Sequence, residues 1–268
     1  MAILTESLLR AIERSELDYM TDRMTAVRER EGNPEGVELC AFGHAQAFYS
    51  RTMGWPAFNT VKGISDEELP LLEEIYKFYK SRGRKPQIEV VPTRAGAPLL
   101  SKLHSLGLRQ TGFHTSLYAD LSEPCEPASR SSDIQIKPLT EAEAQAYAAI
   151  HCRGTGLPDE GIPYVADNNR VLMRRPGWLF YMALYQGEPA GVGVLYVKGT
   201  TASLTFAATL PELRGRGIHS ALLQRRREEA EARGCSLLVS QAAFLSPSQR
   251  NMERIGMRIA YTRATWSE

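Results

Sequence analysis

The residues best placed to do chemistry lie in a glycine- and arginine-rich segment, Thr209–Leu223, between a strand-like run and a helix-like run. Backbone N–H groups at a helix N-terminus lack internal partners, and the helix dipole favours negative charge there. Gly215 and Gly217 let the backbone approach a ligand closely, and Arg214 and Arg216 add positive charge. The segment therefore predicts a site for a ligand that carries a pyrophosphate or several phosphates.

Three phosphate-bearing ligands compete for this site. A nucleoside triphosphate loop needs Gly-Lys-Ser/Thr after the glycines, and because Ile218 and His219 follow Gly217, that loop is excluded. A dinucleotide fingerprint needs Gly-x-Gly-x-x-Gly directly after the strand, but Ser220 stands at the last position and a spacer that begins at Pro211 intervenes. Dinucleotide binding is therefore disfavoured, and coenzyme A is the third ligand.

The same segment resembles motif A of the GCN5-related N-acetyltransferase (GNAT) superfamily, whose pattern is Arg/Gln-x-x-Gly-x-Gly/Ala. Arg214, Gly217 and Ile218 fit this pattern. His219 departs from it, because a small residue is usual at that position. The predicted elements over residues 134–266 also follow the family's order. The resemblance implies an α/β fold with a mixed, mostly antiparallel sheet flanked by helices, and acetyl-CoA as cosubstrate without a metal.

The resemblance also implies how the cofactor is held. The backbone of Thr209 and Leu210 is expected to pair with the pantetheine arm like an added strand, and the amides of Arg214 to Ser220 to bind the pyrophosphate. Asn251, on the next helix, either touches the arm or is a surface residue. The cofactor-binding residues predicted in this way are Thr209, Leu210, Arg214, Gly215, Arg216, Gly217, Ile218, His219, Ser220 and Asn251.

Acetyl transfer to an amine needs a neutral nitrogen, and a lysine-like amine with a pKa near 10.4 is neutral in only about one molecule in a thousand at pH 7. Backbone N–H groups near Leu210 are expected to stabilise the negative charge on the thioester carbonyl. In the family, a tyrosine before the final strand usually protonates the departing thiolate, and Met252 stands there instead. Tyr261, on the last strand, is the substitute candidate. Other tyrosines that suit either this role or simple packing are Tyr164, Tyr181 and Tyr196.

The base that takes the proton of the amine is not identified by the sequence. Asp159, Glu160 and Asp167 lie in the region that forms the acceptor wall in relatives. Glu212 lies in the phosphate loop, where its charge is expected to point to solvent. The aromatic segment Trp55–Asn59 either packs in the core of the first half or shapes the acceptor pocket.

Around the motif, the sequence predicts an alternation of strands and helices. Short glycine turns separate three strand-like runs, and a helix opens at Ile218 and ends at Gly234. Arginines and glutamates four residues apart on this helix, such as Arg225 and Glu229, predict a solvated face with ion pairs. The strands predicted in this half are Ile134–Ile136, Leu179–Tyr185, Gly191–Val197, Ala202–Thr209, Ser236–Gln241 and Met257–Trp266.

Two domains are predicted for the 268 residues. A polar segment with two prolines, residues 122–132, reads as a linker and separates a first domain, residues 1–121, from a second, residues 133–268. The first half repeats the late elements of the second, but Val61–Ser65 lacks a phosphate loop. The chain is thus interpreted as a tandem GNAT protein with one degenerate copy, and two unrelated domains remain the alternative.

Composition limits the partners. The net charge is +1, which gives no argument for nucleic acid or an anionic membrane. No signal peptide and no apolar run long enough to span a bilayer is present, so a cytoplasmic location is expected. The four cysteines show no spacing typical of metal ligands. The chain is expected to act, as a monomer or homodimer, on an amine of a small molecule or peptide, or else to be a non-catalytic acyl-CoA-binding module.

Overall fold

A computed structural model describes residues 3–124 and 131–268. Residues 125–130, which make up half of the predicted linker 122–132, lie outside the described residues. The helices are α1 (Glu6–Arg28), α2 (Leu72–Lys80), α3 (Ala97–Ser105), α4 (Ala144–Thr155), α5 (Ile162–Met173), α6 (Ile218–Ala232) and α7 (Pro247–Arg254). The strands are β1 (Val37–Phe42), β2 (Ala45–Ser50), β3 (Thr60–Lys62), β4 (Gln87–Val90), β5 (Arg109–Asp120), β6 (Ile134–Pro138), β7 (Trp178–Tyr185), β8 (Glu188–Lys198), β9 (Thr201–Thr209), β10 (Leu237–Ala242) and β11 (Arg258–Ser267).

The chain divides into two compact units. The first comprises Met1–Ser116 together with Ala260–Glu268, and the second comprises Leu117–Ile259. This division differs from the predicted boundaries at residues 121 and 133, above all at the C-terminus. The reason is the pairing of β11, which runs antiparallel to β4 with Ala264 opposite Val90. The end of the chain thus supplies a strand to the first unit.

The sheet of the first unit is mixed. β1 and β2 form an antiparallel hairpin, β2 pairs antiparallel with β3, β3 pairs parallel with β4, and β4 pairs with the end of β11. Apolar residues of β2 to β4 and of α2 and α3 form the core, with Tyr79 and Leu99 fully buried. The order β3, α2, β4 and α3 repeats the order β9, α6, β10 and α7 of the later part of the chain, as predicted, whereas α1 and the β1–β2 hairpin were not predicted.

A cluster of buried charges lies in the first unit. Arg263 bridges the carboxylates of Glu16 and Glu89, and Lys62 contacts the same two carboxylates. All four residues are less than a tenth exposed. Because two cations offset two carboxylates, the cluster compensates its own charge.

The second unit is built on a sheet whose strands are antiparallel except at one point. β6, β7, β8 and β9 pair antiparallel in succession, and β9 pairs parallel with β10. Ile218 and Leu222 of α6 pack into the core that this sheet carries. The prediction of an α/β fold with a mixed, mostly antiparallel sheet flanked by helices is confirmed. None of the helices in residues 3–124 and 131–268 combines the length and apolar character needed to cross a membrane.

Two side-chain predictions are wrong in part. The predicted ion pairs Arg225–Glu229, Arg227–Glu231 and Glu229–Arg233 are present, but Arg226 and Arg227 are buried, so this part of α6 is not a solvated face. Trp55 is 43% exposed, so the segment Trp55–Asn59 does not place its tryptophan in the core of the first unit. Both errors arise because a charge run and an aromatic run carry no information about which face meets the sheet.

The substitution Arg263→Met is expected to lower the free energy of unfolding by about 3 kcal/mol, because it leaves Glu16 and Glu89 with only Lys62 as a cation. Urea denaturation measures the change. The control is Lys80→Met, which removes an exposed ion pair with Glu268 and is expected to cost less than about 1 kcal/mol. Equal losses in both variants would contradict the assigned role of the buried cluster.

Candidate functional site

The predicted phosphate loop lies between β9 and α6. A short 3-10 turn, Pro211–Leu213, follows the strand, and Arg214 is extended. Gly215 and Gly217 both adopt the left-handed conformation, with φ of 78° and 83°. No neighbouring atom crowds either glycine closely. The positive φ, rather than lack of space, is therefore what favours glycine at these two positions.

The N-terminus of α6 offers unpaired backbone donors. Gly217 occupies the N-cap position, and within the described residues no side chain caps the helix there. The first intrahelical bond runs from the amide of Ala221 to the carbonyl of Gly217, at 2.9 Å. The N–H groups of Ile218, His219 and Ser220 therefore precede the helical ladder and, with the helix dipole, form a site for an anion.

The two arginines of the loop are held differently. The guanidinium of Arg214 donates to the carbonyl of Gly154 at 2.8 Å and ties the loop to the end of α4. The guanidinium of Arg216 donates to the hydroxyl of Tyr185 at 3.2 Å and lies over its ring. Arg214 lines the groove described next, and the side chain of Arg216 lies outside it. Of the two arginines predicted to add positive charge, Arg214 therefore lines the groove and Arg216 does not.

A groove of about 690 Å³ runs from the end of β9 past the loop to α7. It exists because β9 and β10 diverge. Their parallel pairing ends where Leu204 lies opposite Ser240, and β9 continues to Thr209. The β9 edge beyond Leu204 is left open on the β10 side, which suits the pairing of an extended ligand chain. The groove residues on β9 are Ala207, Ala208 and Thr209.

Leu210 does not fit its predicted role. Its N–H donates to the carbonyl of Ala190 at 3.0 Å, so it is unavailable to a ligand or to a thioester oxygen. Thr209, in contrast, lines the groove. Because neighbouring residues of a strand direct their backbone groups to opposite edges, an N–H bound to β8 at Leu210 leaves that of Thr209 facing the groove.

A bulge in β9 supplies a further backbone donor, which the sequence did not predict. The β8–β9 register shifts between Val192, opposite Ala208, and Val194, opposite Thr205. Two residues of β9, Phe206 and Ala207, thus face the single residue Gly193 of β8. An extra residue in a bulge is left out of the hydrogen-bond ladder. Ala207 lines the groove, so its N–H is the donor best placed for a ligand carbonyl.

Phe206 adopts a strained conformation at this bulge, with φ of 45°. Such a value is rare for a bulky residue, and it is maintained only where the surrounding structure enforces it. Strain of this kind concentrates at functional sites.

His219 and Asn251 meet at the groove. The amide oxygen of Asn251 accepts from Arg254 at 2.6 Å, so its Nδ2 faces Nδ1 of His219 at 3.1 Å. This arrangement assigns Nδ1 as the acceptor and places the ring proton on Nε2. Burial, and then the charge of Arg226, lower the pKa of His219 to about 4. His219 is thus neutral, and both it and Asn251 line the groove.

The acid that would protonate a thiolate is not apparent. Met252 is 4% exposed and packs in the core of the second unit, so this position presents nothing to the groove. Tyr261 lies in the first unit, where it lines a separate cavity of about 310 Å³ with Lys62, Glu89 and Arg263. Burial raises the pKa of Tyr261 well above its usual range. The structure therefore does not group Tyr261 with the loop.

The other tyrosines and the carboxylates also give no clear acid or base. Burial raises the pKa of Tyr181 to about 12, and Tyr164 is exposed. The carboxylates of Asp159 and Asp167 are paired with Arg153 and Arg170. None of the predicted base candidates, Asp159, Glu160 and Asp167, lines the groove.

Acidification is expected to destabilise the protein partly through His219. The folded-state pKa of about 4 lies below the ordinary value near 6.5, so this stability is present above pH 6.5 and is lost as the pH falls towards 4. Between pH 7 and pH 5, wild type is expected to lose roughly 1–2 kcal/mol more than His219→Gln. Chemical denaturation at both pH values measures this. The control His104→Gln, at an exposed position, should keep the wild-type dependence of the unfolding free energy on pH. If His219→Gln showed that same pH dependence, the lowered pKa of His219 would be contradicted.

Comparison with known proteins shows a similarity to one family over part of the chain. Residues 143–257 match the sequence model of the acetyltransferase (GNAT) family. No curated protein sequence matches the chain significantly.

Several solved structures resemble the whole chain in fold. A GCN5-related N-acetyltransferase from Kribbella flavida is 14% identical, covers 92% of this chain and 95% of its own, and superposes with a TM-score of 0.66. The corresponding protein from Sphaerobacter thermophilus is 14% identical, with coverages of 91% and 84% and a TM-score of 0.65. A tandem GNAT protein from the clavulanic acid biosynthesis pathway is 14% identical, with coverages of 96% and 95% and a TM-score of 0.62.

At this identity the likeness shows the fold, and it extends over both units of the chain. Residues 143–257 are thus similar to the acetyltransferase (GNAT) family, whose fold supports acyl transfer from acetyl-CoA.

Proposed function

We propose that the chain is an N-acetyltransferase that moves an acetyl group from acetyl-CoA directly to an amine of a small molecule or peptide. The observation that carries the proposal is the continuity of the groove. The open edge of β9, from Ala207 to Thr209, leads straight into the uncapped N-terminus of α6. An extended polar chain that ends in a pyrophosphate matches this sequence of backbone groups.

In the proposed arrangement, the pantetheine arm pairs with the β9 edge at Thr209 as an added strand. The pyrophosphate lies on the N–H groups from Gly215 to Ser220, where glycine at positions 215 and 217 gives the loop its left-handed turns. Nε2–H of His219 is a further donor at the helix N-terminus, and Asn251 fixes its ring. Arg214 contributes charge while bracing the loop against Gly154.

The transfer step is assigned to the bulge. The amine nitrogen attacks the thioester carbon and forms the C–N bond, the C–S bond breaks, and the sulfur leaves with the electron pair as a thiolate. Negative charge develops on the carbonyl oxygen, and the N–H of Ala207 is the donor proposed to stabilise it. The nitrogen loses its proton to a base or to water, and the thiolate takes one up, which conserves protons overall.

A non-catalytic acyl-CoA-binding module is the second candidate. The buried Met252, at the position where the family has its acid, favours it. The two candidates share the cofactor site and differ in turnover. Release of free thiol from acetyl-CoA that depends on an added amine would reject the binding module, and saturable binding without thiol release across a broad amine panel would reject the enzyme.

Calorimetric titration tests the shared site. Acetyl-CoA is expected to bind wild type saturably, whereas Arg214→Ala combined with Gly217→Glu should weaken binding at least about a hundredfold. The reason is that the double variant removes a positive charge and places a carboxylate and a strained backbone at the helix N-terminus.

The control is Arg233→Ala, an exposed charge loss at the other end of the helical segment, which should bind like wild type. NADH tests the dinucleotide alternative. Binding of NADH in place of acetyl-CoA, or equal affinity in the double variant, would show that the glycine loop is not the cofactor site.

A further inference from the structure

Arg226 of α6 is the most unusual buried group near the proposed site. It is 1% exposed, and its guanidinium donates to backbone carbonyls rather than to a carboxylate. Nε donates to Leu222 at 3.0 Å, and Nη1 donates to Val194 at 2.9 Å and to Thr205 at 3.3 Å. Nη2 is buried without a hydrogen-bond partner among the described residues. Burial lowers the pKa of Arg226 to about 10, so it still carries its charge at neutral pH.

The carbonyls that Arg226 binds mark the bulge. Val194 and Thr205 face each other across β8 and β9 at the point where pairing resumes after the register shift. Gly193, the single residue opposite the two bulged ones, makes room for the guanidinium. A Cβ at Gly193 would lie 2.9 Å from Cζ and 3.0 Å from Nε of Arg226. A guanidinium therefore fills the space beside the irregularity in the strand pair.

The contacts orient two consecutive peptide units. In a trans peptide the C=O and N–H groups point in opposite directions. Holding the carbonyl of Thr205 fixes the N–H of Phe206, and the hydroxyl of Tyr147 donates to the carbonyl of Phe206 at 3.5 Å, which fixes the N–H of Ala207. The left-handed Phe206 lies between these two contacts. The strained bulge is thus held from both sides.

We propose that Arg226 is a positioning residue for acetyl transfer, which holds the bulge at Phe206 and Ala207 so that the N–H of Ala207 meets the thioester carbonyl. The buried positive charge, incompletely compensated in a low-dielectric core, also strengthens the field at the oxygen where negative charge develops. The inference rests on the proposed function, because it needs an acyl thioester in the groove. The proposed function is thereby extended by a buried side chain that acts on the β8–β9 bulge and not on the loop proposed to bind the cofactor's phosphates.

The test measures carbonyl polarisation, which requires no amine. Acetyl-CoA labelled with ¹³C at the thioester carbonyl is bound to each variant, and its C=O stretch is read by isotope-edited infrared spectroscopy. Wild type is expected to shift the stretch to lower frequency. Arg226→Met should lose most of that shift. Its dissociation constant for acetyl-CoA should stay within about threefold of the wild-type value, because the contacts proposed to bind the cofactor are made by the loop and the β9 edge. With an accepted amine, its kcat should fall by about tenfold to a hundredfold with little change in KM for acetyl-CoA.

Two further variants distinguish loss of the Arg226 contact from a general loss of stability. Gly193→Ala keeps Arg226 but crowds its guanidinium, and it should reproduce the weakened shift. Combined with Arg226→Met, it should have little additional effect, because both act through one contact. Arg227→Met is the matched control. Arg227 is an equally buried neighbour that donates to the carbonyl of Ile255 and not to β8 or β9, so its loss should lower stability and leave the shift unchanged.

The outcomes separate the two proposals. If wild type binds acetyl-CoA with a shifted carbonyl and Arg226→Met keeps that shift, the role of Arg226 is rejected while the cofactor site stands. If Arg226→Met and Arg227→Met weaken the shift equally, the effect is one of general stability and the role is also rejected. If wild type does not bind acetyl-CoA, the proposed function fails first and the inference with it.

Discussion

The separation of β9 from β10 is the constraint on which the candidate site depends. The two strands are paired in parallel up to Leu204 and Ser240, and beyond that point β9 continues to Thr209 paired with β8 but no longer with β10. Backbone polar groups on such an edge must find partners elsewhere. The same strand then turns into a helix whose first amides are also unpaired. One continuous stretch of chain therefore offers backbone donors along a strand and at a helix end, and together they define a ligand that is extended at one end and anionic at the other.

The loop and the bulge, which are neighbours in the chain, are held in place in different ways. The loop requires two glycines in the left-handed conformation, and it is braced by side-chain contacts from Arg214 to Gly154 and from Arg216 to Tyr185. The bulge two residues before the end of β9 is instead fixed by a buried guanidinium and a tyrosine hydroxyl. This division suits a transferase. The loop has only to cradle a charged group, whereas a donor that stabilises a transition state must be held in place before the reaction begins.

The sequence predicted the parts of the site that depend on local backbone chemistry. The glycines, the helix that opens at Ile218 and the strand that precedes it follow from turn and capping rules, and the structure has them. It did not predict the bulge, since no residue type marks the register shift between β8 and β9. It also misjudged Leu210, because which edge of a strand an amide faces depends on register, and the charge run at Arg226, because burial depends on tertiary packing.

The two units differ in how they satisfy the N-terminus of a helix that follows a strand, α6 after β9 in the second unit and the helical segment after β3 in the first. In the second unit the N-cap is Gly217, and no described side chain covers it. In the first, the helical segment that follows β3 begins with a capping box. The hydroxyl of Ser65 accepts from the amide of Glu67, and the carboxylate of Glu68 accepts from the amides of Ser65 and His44.

A hydroxyl and a carboxylate of the chain itself thus cap this helical N-terminus, and the negative charge of Glu68 is favourable beside the helix dipole. The nearby cavity is lined by the self-compensated charges of Lys62, Glu89 and Arg263. These features support the interpretation of the first unit as a copy that has lost its phosphate site, which stays a prediction. Because Glu68 already places negative charge at this helical N-terminus, a second anion would stabilise it little. The N-terminus of α6 has no such side-chain cap among the described residues, so an anionic ligand would stabilise it more.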